Sequence, residues 1–267
     1  MAFIQCDYFS KTLLMNTNLN VIIPTQDSEE LINEGGPDYF VPGAKYQVVY
    51  LLHGLYGDYS DWQRLTGIER YAQRRKVAVV MPSASNSFYH DMAHGGRFLS
   101  FMADELPRFA TAMFPVSARR EDSFVAGLSM GGYGALKLAF SRPERFACAA
   151  SLSGAVDIVG LVNSGKPRAV GFDDVFGPPD KVAGSDADLF ALAKKVKGSG
   201  APMPRLFMSC GTEDSLVAGN RKAKGEFERL GFDLSYEEHP GAHTWEYWDE
   251  HIQRVLEWLP LKRSVLA

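Results

Sequence analysis

Two kinds of hydrophobic pattern alternate along most of the chain. Short apolar runs rich in β-branched residues are typical of buried strands, and they fall at 46–52, 77–81, 123–128, 147–152 and 205–209. Stretches with the apolar spacing or composition of helices lie among these runs, at 98–114, 132–140, 186–197 and 216–230. Because strand and helix alternate, the pattern predicts a mostly parallel sheet with helices on both faces.

The two ends of the chain complete this sheet. Residues 17–24 are rich in β-branched residues and alternate in polarity, which predicts an antiparallel N-terminal hairpin with the segment before them. Residues 232–238 alternate as a last strand, and 244–259 form a helix that Pro260 ends. We therefore expect an α/β fold with about eight strands, in which the polar segment 26–45 is a surface loop.

Length and charge narrow the class of protein. A chain of 267 residues fits one large α/β domain, so we expect residues 1–267 to form a single domain. Its 28 basic and 32 acidic residues give a formal net charge of -4 without a basic cluster, which argues against nucleic acid as a partner. Residues 155–179 have no regular period and are expected to form a small insertion over the carboxyl edge of the sheet.

Cysteine content and hydropathy point to a protein that neither relies on disulfides nor spans a membrane. The three cysteines lie far apart and support neither a disulfide framework nor a zinc site. No run approaches the ~20 apolar residues of a membrane span. The N-terminus lacks the basic segment and uninterrupted apolar core of a secretory signal, so we expect a cytoplasmic location.

The stretch VAGLSMGGYGALKL places one serine among small residues between a predicted strand and a predicted helix. Gly127, Ser129 and Gly131 form the pattern G-x-S-x-G of a nucleophile elbow, the strained turn that exposes a serine in the α/β-hydrolase fold. Glycine is needed two residues on either side because a side chain there would collide with the neighbouring helix and strand. An ordinary Gly-rich turn can have the same sequence pattern. Whether the chain also supplies a base and an acid for the serine therefore decides between the two interpretations.

A serine nucleophile needs a base and an acid that orients the base, and in this fold they follow in the order serine, acid, histidine. Asp214 follows the strand at 205–209, and His243 lies in the Gly-containing loop before the last helix. Glu213 is the alternative acid. His239 and His251 are less suitable bases because one lies at the strand end and the other inside the last helix.

The segment HGLYG after the strand at 46–52 stands where this fold supplies one donor of an oxyanion hole. Gly54 lets the backbone approach the substrate oxygen, and the amide of Leu55 is the predicted donor. The amide of Met130, directly after the serine, is the second. An ordinary strand-to-loop turn is the simpler interpretation of HGLYG taken alone.

Histidines at H-x-x-x-H spacing raise the question of a metal. His90 and His94 lie in a segment rich in Ser, Asn and Gly, which favours a loop over a helix that would align both rings. His239 and His243 share the spacing, but a histidine that serves as a base must stay free of metal. We therefore expect no metal site.

With these residues identified, the chain resembles the esterase D group of α/β-hydrolases, and within it the bacterial tributyrin esterases. The matching stretches are LLHGLYGDYSDW, VVMPSASNSFY, AGLSMGGYGALKLA, CGTEDSL and PGAHTWEYW. The resemblance implies hydrolysis of short-chain acyl esters through an acyl-enzyme, with Ser129 as nucleophile, His243 as base and then acid, and Asp214 as the orienting residue. It implies no cofactor, and its partners are a small ester and water.

Related groups leave the substrate open. S-formylglutathione hydrolases are similar but usually carry a cysteine and threonine pair where this chain has Leu55 and Tyr56. Mycolyl-transferring enzymes are similar but secreted, and acetylated plant sugars are another substrate class of the group. A hydrolase scaffold reused for binding is the non-catalytic alternative, and self-association is left open by the sequence.

The insertion predicts the size of the acyl pocket. It has few consecutive apolar residues, so we expect no long channel and a preference for acetyl to butyryl chains. The residues of the insertion that can wall this pocket are Leu161, Val162, Val170, Phe172, Val175 and Phe176. The alternative, which the sequence leaves open, is that the insertion packs on the protein and touches no substrate.

Overall fold

A computed structural model describes residues 1–33, 39–164 and 171–262, the side chains of Glu29 and Asn33 excepted. In this part of the chain the strands are β1 Ala2–Ser10, β2 Met15–Ile23, β3 Val48–Leu52, β4 Ala78–Pro82, β5 Ser123–Leu128, β6 Cys148–Leu152, β7 Arg205–Gly211 and β8 Leu234–His239. They form one eight-stranded sheet in the order β1-β2-β4-β3-β5-β6-β7-β8. The pairs β1/β2 and β2/β4 are antiparallel and the others parallel. The predicted sheet and N-terminal hairpin are confirmed.

Helices cover both faces of the sheet. Their bounds are α1 Ser28–Asn33, α2 Asp61–Leu65, α3 Ile68–Arg75, α4 Phe98–Ser100, α5 Leu106–Met113, α6 Met130–Ser141, α7 Ile158–Asn163, α8 Phe172–Phe176, α9 Leu189–Ser199, α10 Val217–Leu230 and α11 Trp245–Trp258. A π-helical stretch, Phe101–Glu105, joins α4 to α5.

The central strands are apolar on both sides because each side faces a layer of helices. In β3, Val48, Tyr50 and Leu52 belong to one hydrophobic cluster, which α5, α6, α9 and α10 cover. Val49 and Leu51 belong to the opposite cluster, which α3 and α11 cover. Complete burial of a strand on both faces explains why its sequence is a continuous apolar run rather than an alternating one.

Short helices were missed where the sequence has no long apolar period. Helix α1 lies within the segment predicted as a loop, and α2 and α3 follow the HGLYG segment. Residues 155–179 contain α7 and α8, where the sequence indicated no regular structure. Helices of five to eight residues have too few turns to show a clear period, and contacts with the rest of the molecule stabilise them.

The parallel arrangement brings four loops to one edge of the sheet. Strands β3, β5, β7 and β8 run in the same direction, so the residues that follow each of them meet at the carboxyl edge. These loops hold HGLYG, Ser129, Asp214 and His243. Among the described residues, no helix combines the length and hydropathy needed to cross a bilayer.

Candidate active site

Ser129 occupies a strained turn between β5 and α6. Its backbone has φ +53° and ψ −116°, a conformation that costs energy for a residue with a side chain. The surrounding structure enforces it, since the Ser129 amide donates to the carbonyl oxygen of Leu152 at 2.9 Å. A Cβ on Gly127 would lie 2.4 Å from the carbonyl oxygen of Gly131, and one on Gly131 would lie 2.4 Å from that of Leu52. The two glycines therefore allow the backbone contacts that the turn requires.

His243 lies directly against the serine. Its Nε2 is 2.9 Å from the Ser129 Oγ, and its Nδ1 is 2.7 Å from Oδ2 of Asp214. The ring also stands edge-on to Trp248, with the ring centres 4.9 Å apart. Because a carboxylate only accepts hydrogen bonds, Nδ1 carries the proton and Nε2 is free to accept the serine hydroxyl proton.

The Asp214 side chain is fully buried beneath His243. Burial alone would raise the pKa of this carboxyl, but hydrogen bonds from His243 and from the Leu216 amide, the latter at 2.8 Å, lower the pKa below its ordinary value. Asp214 thus stays ionised. An ionised carboxylate is what His243 needs as a partner when its ring becomes positively charged.

Glu213, the alternative acid, points away from the histidine. Its carboxylate accepts hydrogen bonds from the Gly241 amide and from the Thr212 hydroxyl. These contacts connect the loop after β7 to the loop that carries His243. Glu213 therefore stabilises the contact between these two loops, and Asp214 is the carboxylate that contacts the His243 ring.

Two backbone amides are candidates for the oxyanion hole, those of Leu55 and Met130. Met130 is the first residue of α6, so its amide has no acceptor within the helix. The Leu55 amide has no acceptor among the hydrogen bonds of the described residues. A Cβ on Gly54 would lie 2.6 Å from the Leu128 side chain and 3.6 Å from the Ser129 Cβ, so this loop packs directly on the elbow.

The segment after β4 supports the loop after β3, a role that the sequence reasoning missed. The Asn86 side chain accepts a hydrogen bond from the Tyr56 amide at 2.8 Å, and Ser83 accepts one from the Tyr59 amide at 3.2 Å. Tyr56 is held at φ +66°. The signal in the sequence was the run of Ser and Asn directly after a strand, but adjacency of β3 and β4 is needed to interpret it.

Four other histidines contact groups other than the serine. His90 contacts the Lys137 amine, and His94 lies 3.6 Å from a carboxylate oxygen of Asp174. His239 lies 3.2 Å from Glu237, and His251 is buried against Tyr247. Within the described ranges, no group of three or more His, Cys, Asp and Glu side chains is arranged to bind a metal ion.

A cavity of about 230 Å³ lies beside the residues that follow Asp214. A larger groove lies elsewhere, between β1 and α5, and its lining includes none of Ser129, Asp214 and His243. The smaller cavity is lined by Gly154, Ala155, Val156, Asp157, Gly160, Leu161, Ser215, Leu216 and Gly219. Of the predicted pocket walls, Leu161 lines it. Phe172 and Phe176 instead pack against Phe88 with ring centres 5.2 and 5.4 Å away, and Val170 lies outside the described residues.

The fold and this arrangement define a serine hydrolase of the α/β-hydrolase type. The Esterase family model matches residues 35–259, and the chain belongs to this family. It is 33% identical over 266 residues to the acetyl esterase of Caldicellulosiruptor saccharolyticus, covering 97% of this chain and 98% of that protein.

Two solved structures from Staphylococcus aureus are similar at the level of both sequence and fold. One is FphF, a fluorophosphonate-binding serine hydrolase, with a TM-score of 0.87. The other is the S-formylglutathione hydrolase FrmB, with a TM-score of 0.83. Each is 33% identical, with 97% of this chain and 98% of the solved chain covered. The narrower resemblance to the esterase D group and to tributyrin esterases stays a prediction.

Proposed function

We propose that this protein is a carboxylesterase that hydrolyses short-chain acyl esters through an acyl-enzyme on Ser129. The observation that carries the proposal is the continuous chain of contacts from Ser129 through His243 to Asp214, at 2.9 and 2.7 Å. The amides of Leu55 and Met130 are the proposed donors to the substrate oxygen. Esterase membership of the chain supports the reaction class.

In the proposed first step, the Ser129 oxygen attacks the ester carbonyl carbon while its proton moves to Nε2 of His243. The carbonyl oxygen gains a negative charge, which the amides of Leu55 and Met130 receive. Collapse breaks the bond to the alcohol oxygen, and His243 returns the proton to the departing alcohol. Asp214 stays ionised and stabilises the charged ring.

In the second step, water repeats the attack on the acyl-enzyme. His243 takes one proton from the water as its oxygen bonds to the acyl carbon, and the proton then goes to Ser129 as the carboxylic acid leaves. The residues involved carry out both steps without a cofactor.

The proposed preference for acetyl to butyryl chains assigns the acyl group to the cavity that Leu161 and Leu216 line, where the Ala155 amide donates to the carbonyl oxygen of Ser129 at 3.1 Å. A volume of about 230 Å³ equals roughly seven or eight water molecules at ~30 Å³ each. Each buried methylene contributes about 0.8 kcal/mol only where apolar space exists for it. Similarity to an acetyl esterase supports the short end of this range.

A second candidate is hydrolysis of S-formylglutathione, which the similarity to FrmB favours. The same triad serves a thioester, so the distinction lies in recognition of the leaving group. Location in the cytoplasm stays a prediction, and self-association stays open.

A panel of acetyl, butyryl and octanoyl esters of one alcohol, run beside S-formylglutathione, tests both candidates. We expect the purified protein to have the highest kcat/KM with acetyl or butyryl esters and at least about tenfold less with octanoyl. Equal turnover of octanoyl and butyryl esters contradicts the short pocket. A kcat/KM for S-formylglutathione far above all esters favours the second candidate, and no turnover of any substrate refutes both.

A further inference from the structure

Both nitrogens of the buried His53 ring are committed to the backbone. The ring is only 1% exposed, at the start of the loop after β3. Its Nε2 is 2.9 Å from the Ala84 amide nitrogen, and its Nδ1 is 2.7 Å from the carbonyl oxygen of Gly54. Because a backbone N–H can only donate, Nε2 is the acceptor and the ring proton lies on Nδ1. The Nδ1–H group therefore donates to the Gly54 carbonyl.

The carbonyl that His53 holds belongs to the same peptide unit as the Leu55 amide. A peptide unit is planar, so fixing the direction of the Gly54 C=O group also fixes the direction of the Leu55 N–H group. That N–H group is the donor assigned above to the oxyanion hole. A hydrogen bond accepted by the carbonyl also polarises the unit and makes its N–H a stronger donor.

We propose that His53 is a positioning residue that orients the Leu55 amide toward the substrate oxygen by holding the Gly54 carbonyl with its Nδ1–H group. This inference rests on the proposed function, since it needs an oxyanion to form at Ser129. His53 itself does not touch the substrate. The Ala84 amide selects the tautomer that makes the contact possible.

The surroundings keep the ring neutral and the loop attached to the nucleophile helix. Burial lowers the pKa of His53, against the opposing influence of the Gly54 carbonyl and Asp58. The Tyr89 hydroxyl donates to the His53 carbonyl at 2.9 Å. The ring of Tyr89 rests on α6, where a Cβ on Gly134 would lie 2.3 Å from it. The loop and the serine thus share one rigid support.

Two substitutions separate the two hydrogen bonds of the ring. In His53→Asn, the side-chain amide stands at the place of Nδ1 and can still donate to Gly54. In His53→Gln, the amide stands at the place of Nε2, so the contact with Ala84 is kept and that with Gly54 is lost. His251→Gln is the matched control, because His251 is also 1% exposed and its Nδ1 lies 2.7 Å from the carbonyl oxygen of Tyr247.

The measurements are kcat, KM, melting temperature, the rate of Ser129 labelling by a fluorophosphonate, and the inhibition constant of a trifluoromethyl ketone that forms an oxyanion on the serine. We expect His53→Gln to lower kcat and the labelling rate by about 10- to 100-fold, with KM within about twofold. The inhibition constant should rise by the same factor as kcat/KM falls. His53→Asn should stay within about fivefold of the wild type, and His251→Gln should keep its kcat.

Equal losses in kcat for His53→Asn and His53→Gln, in proportion to lost thermal stability, overturn the proposal in favour of a structural role. Wild-type kcat and labelling rate in His53→Gln also overturn it. Absence of labelling in the wild type refutes instead the proposed function of Ser129. Nitrogen NMR of histidine-labelled wild-type protein needs no variant, and an Nε2–H or charged His53 ring there overturns the proposal.

Discussion

The two sides of Ser129 are built from different kinds of groups. On the acid–base side, side chains contact each other directly: His243 meets the serine oxygen at 2.9 Å and Asp214 at 2.7 Å. On the proposed oxyanion side, the donors are the backbone amides of Leu55 and Met130. The side chains of His53 and Asn86 bind the loop that carries Leu55.

This difference determines how each side responds to change. A substitution on the acid–base side removes a group that transfers a proton or a charge. A substitution of His53 or Asn86 leaves both amides in the molecule and changes only the direction of the Leu55 N–H group. We therefore expect losses of several orders of magnitude on the first side and smaller, graded losses on the second.

The largest expected effect is that of Ser129→Ala. Removing the nucleophile should lower ester turnover by about 10⁴-fold or more and abolish labelling by a fluorophosphonate probe. Mass spectrometry of the labelled wild type should map the adduct to Ser129. An adduct on another residue, or near-normal turnover of the variant, contradicts the assignment of the nucleophile.

Asp214→Asn should come next, with kcat lower by about 10³- to 10⁴-fold, because an amide cannot stabilise the charged His243 ring. Glu213→Gln is the matched control. Its exposed side chain braces the His243 loop, so a loss of less than about tenfold is expected. Steady-state kinetics of the two variants decide between the acids, and the reverse order of effects refutes Asp214.

A graded loss is expected for Asn86→Ala on the oxyanion side. The variant leaves the Tyr56 amide without its acceptor, which lets the loop after β3 shift and should lower kcat by about tenfold. Asn86→Asp keeps an acceptor oxygen and should stay closer to the wild type. If both variants have wild-type kcat, the segment after β4 does not position the oxyanion donor.

The smallest effect on catalysis is expected for Lys137→Met. Lys137 is fully buried on α6, where its amine contacts His90. His90 lies in the same segment after β4 as Asn86. Burial lowers the pKa of the Lys137 amine to about 7. The unfolded chain, with an ordinary value of 10.5, binds an extra proton between those two pH values. Wild-type stability should therefore rise with pH across this window.

Melting temperatures of the wild type and Lys137→Met from pH 6 to pH 10.5 test this prediction. The variant should be more stable by roughly 5 °C near pH 7, and the advantage should shrink as pH rises. Its kcat should stay within about threefold of the wild type. A difference in melting temperature that is constant across this pH range shows that the buried amine does not lose its proton. A large loss of kcat shows that Lys137 also helps to position the oxyanion donors.

Much of the acid–base side is evident in the sequence because its side chains themselves act as nucleophile, base and orienting acid. Ser129 has a motif of glycines, and Asp214 and His243 follow strands in the order that the fold requires. The structure brings all three together, with Glu213 turned to the neighbouring loop. The oxyanion loop was found through HGLYG, but neither Asn86 nor the hydrogen bonds of His53 were predicted.

The predicted pocket walls show the limit of local pattern. Phe172 and Phe176 are apolar and lie in the segment expected near the site, yet both rings pack against Phe88. Leu161 from the same segment lines the cavity. An apolar side chain gains as much from a core contact as from a pocket wall, so composition cannot distinguish the two.

The sequence by itself determined the alternation of strands and helices, the strand limits at 123–128, the elbow and the chain order of its partners. These features depend on local preferences: apolar runs make buried strands, and glycines permit strained turns. Only the tertiary structure decided which acid faces His243, which loop segment supports Leu55, and which tautomer His53 adopts. Each of those depends on contacts between residues dozens of positions apart, and the order of strands in the sheet sets such contacts.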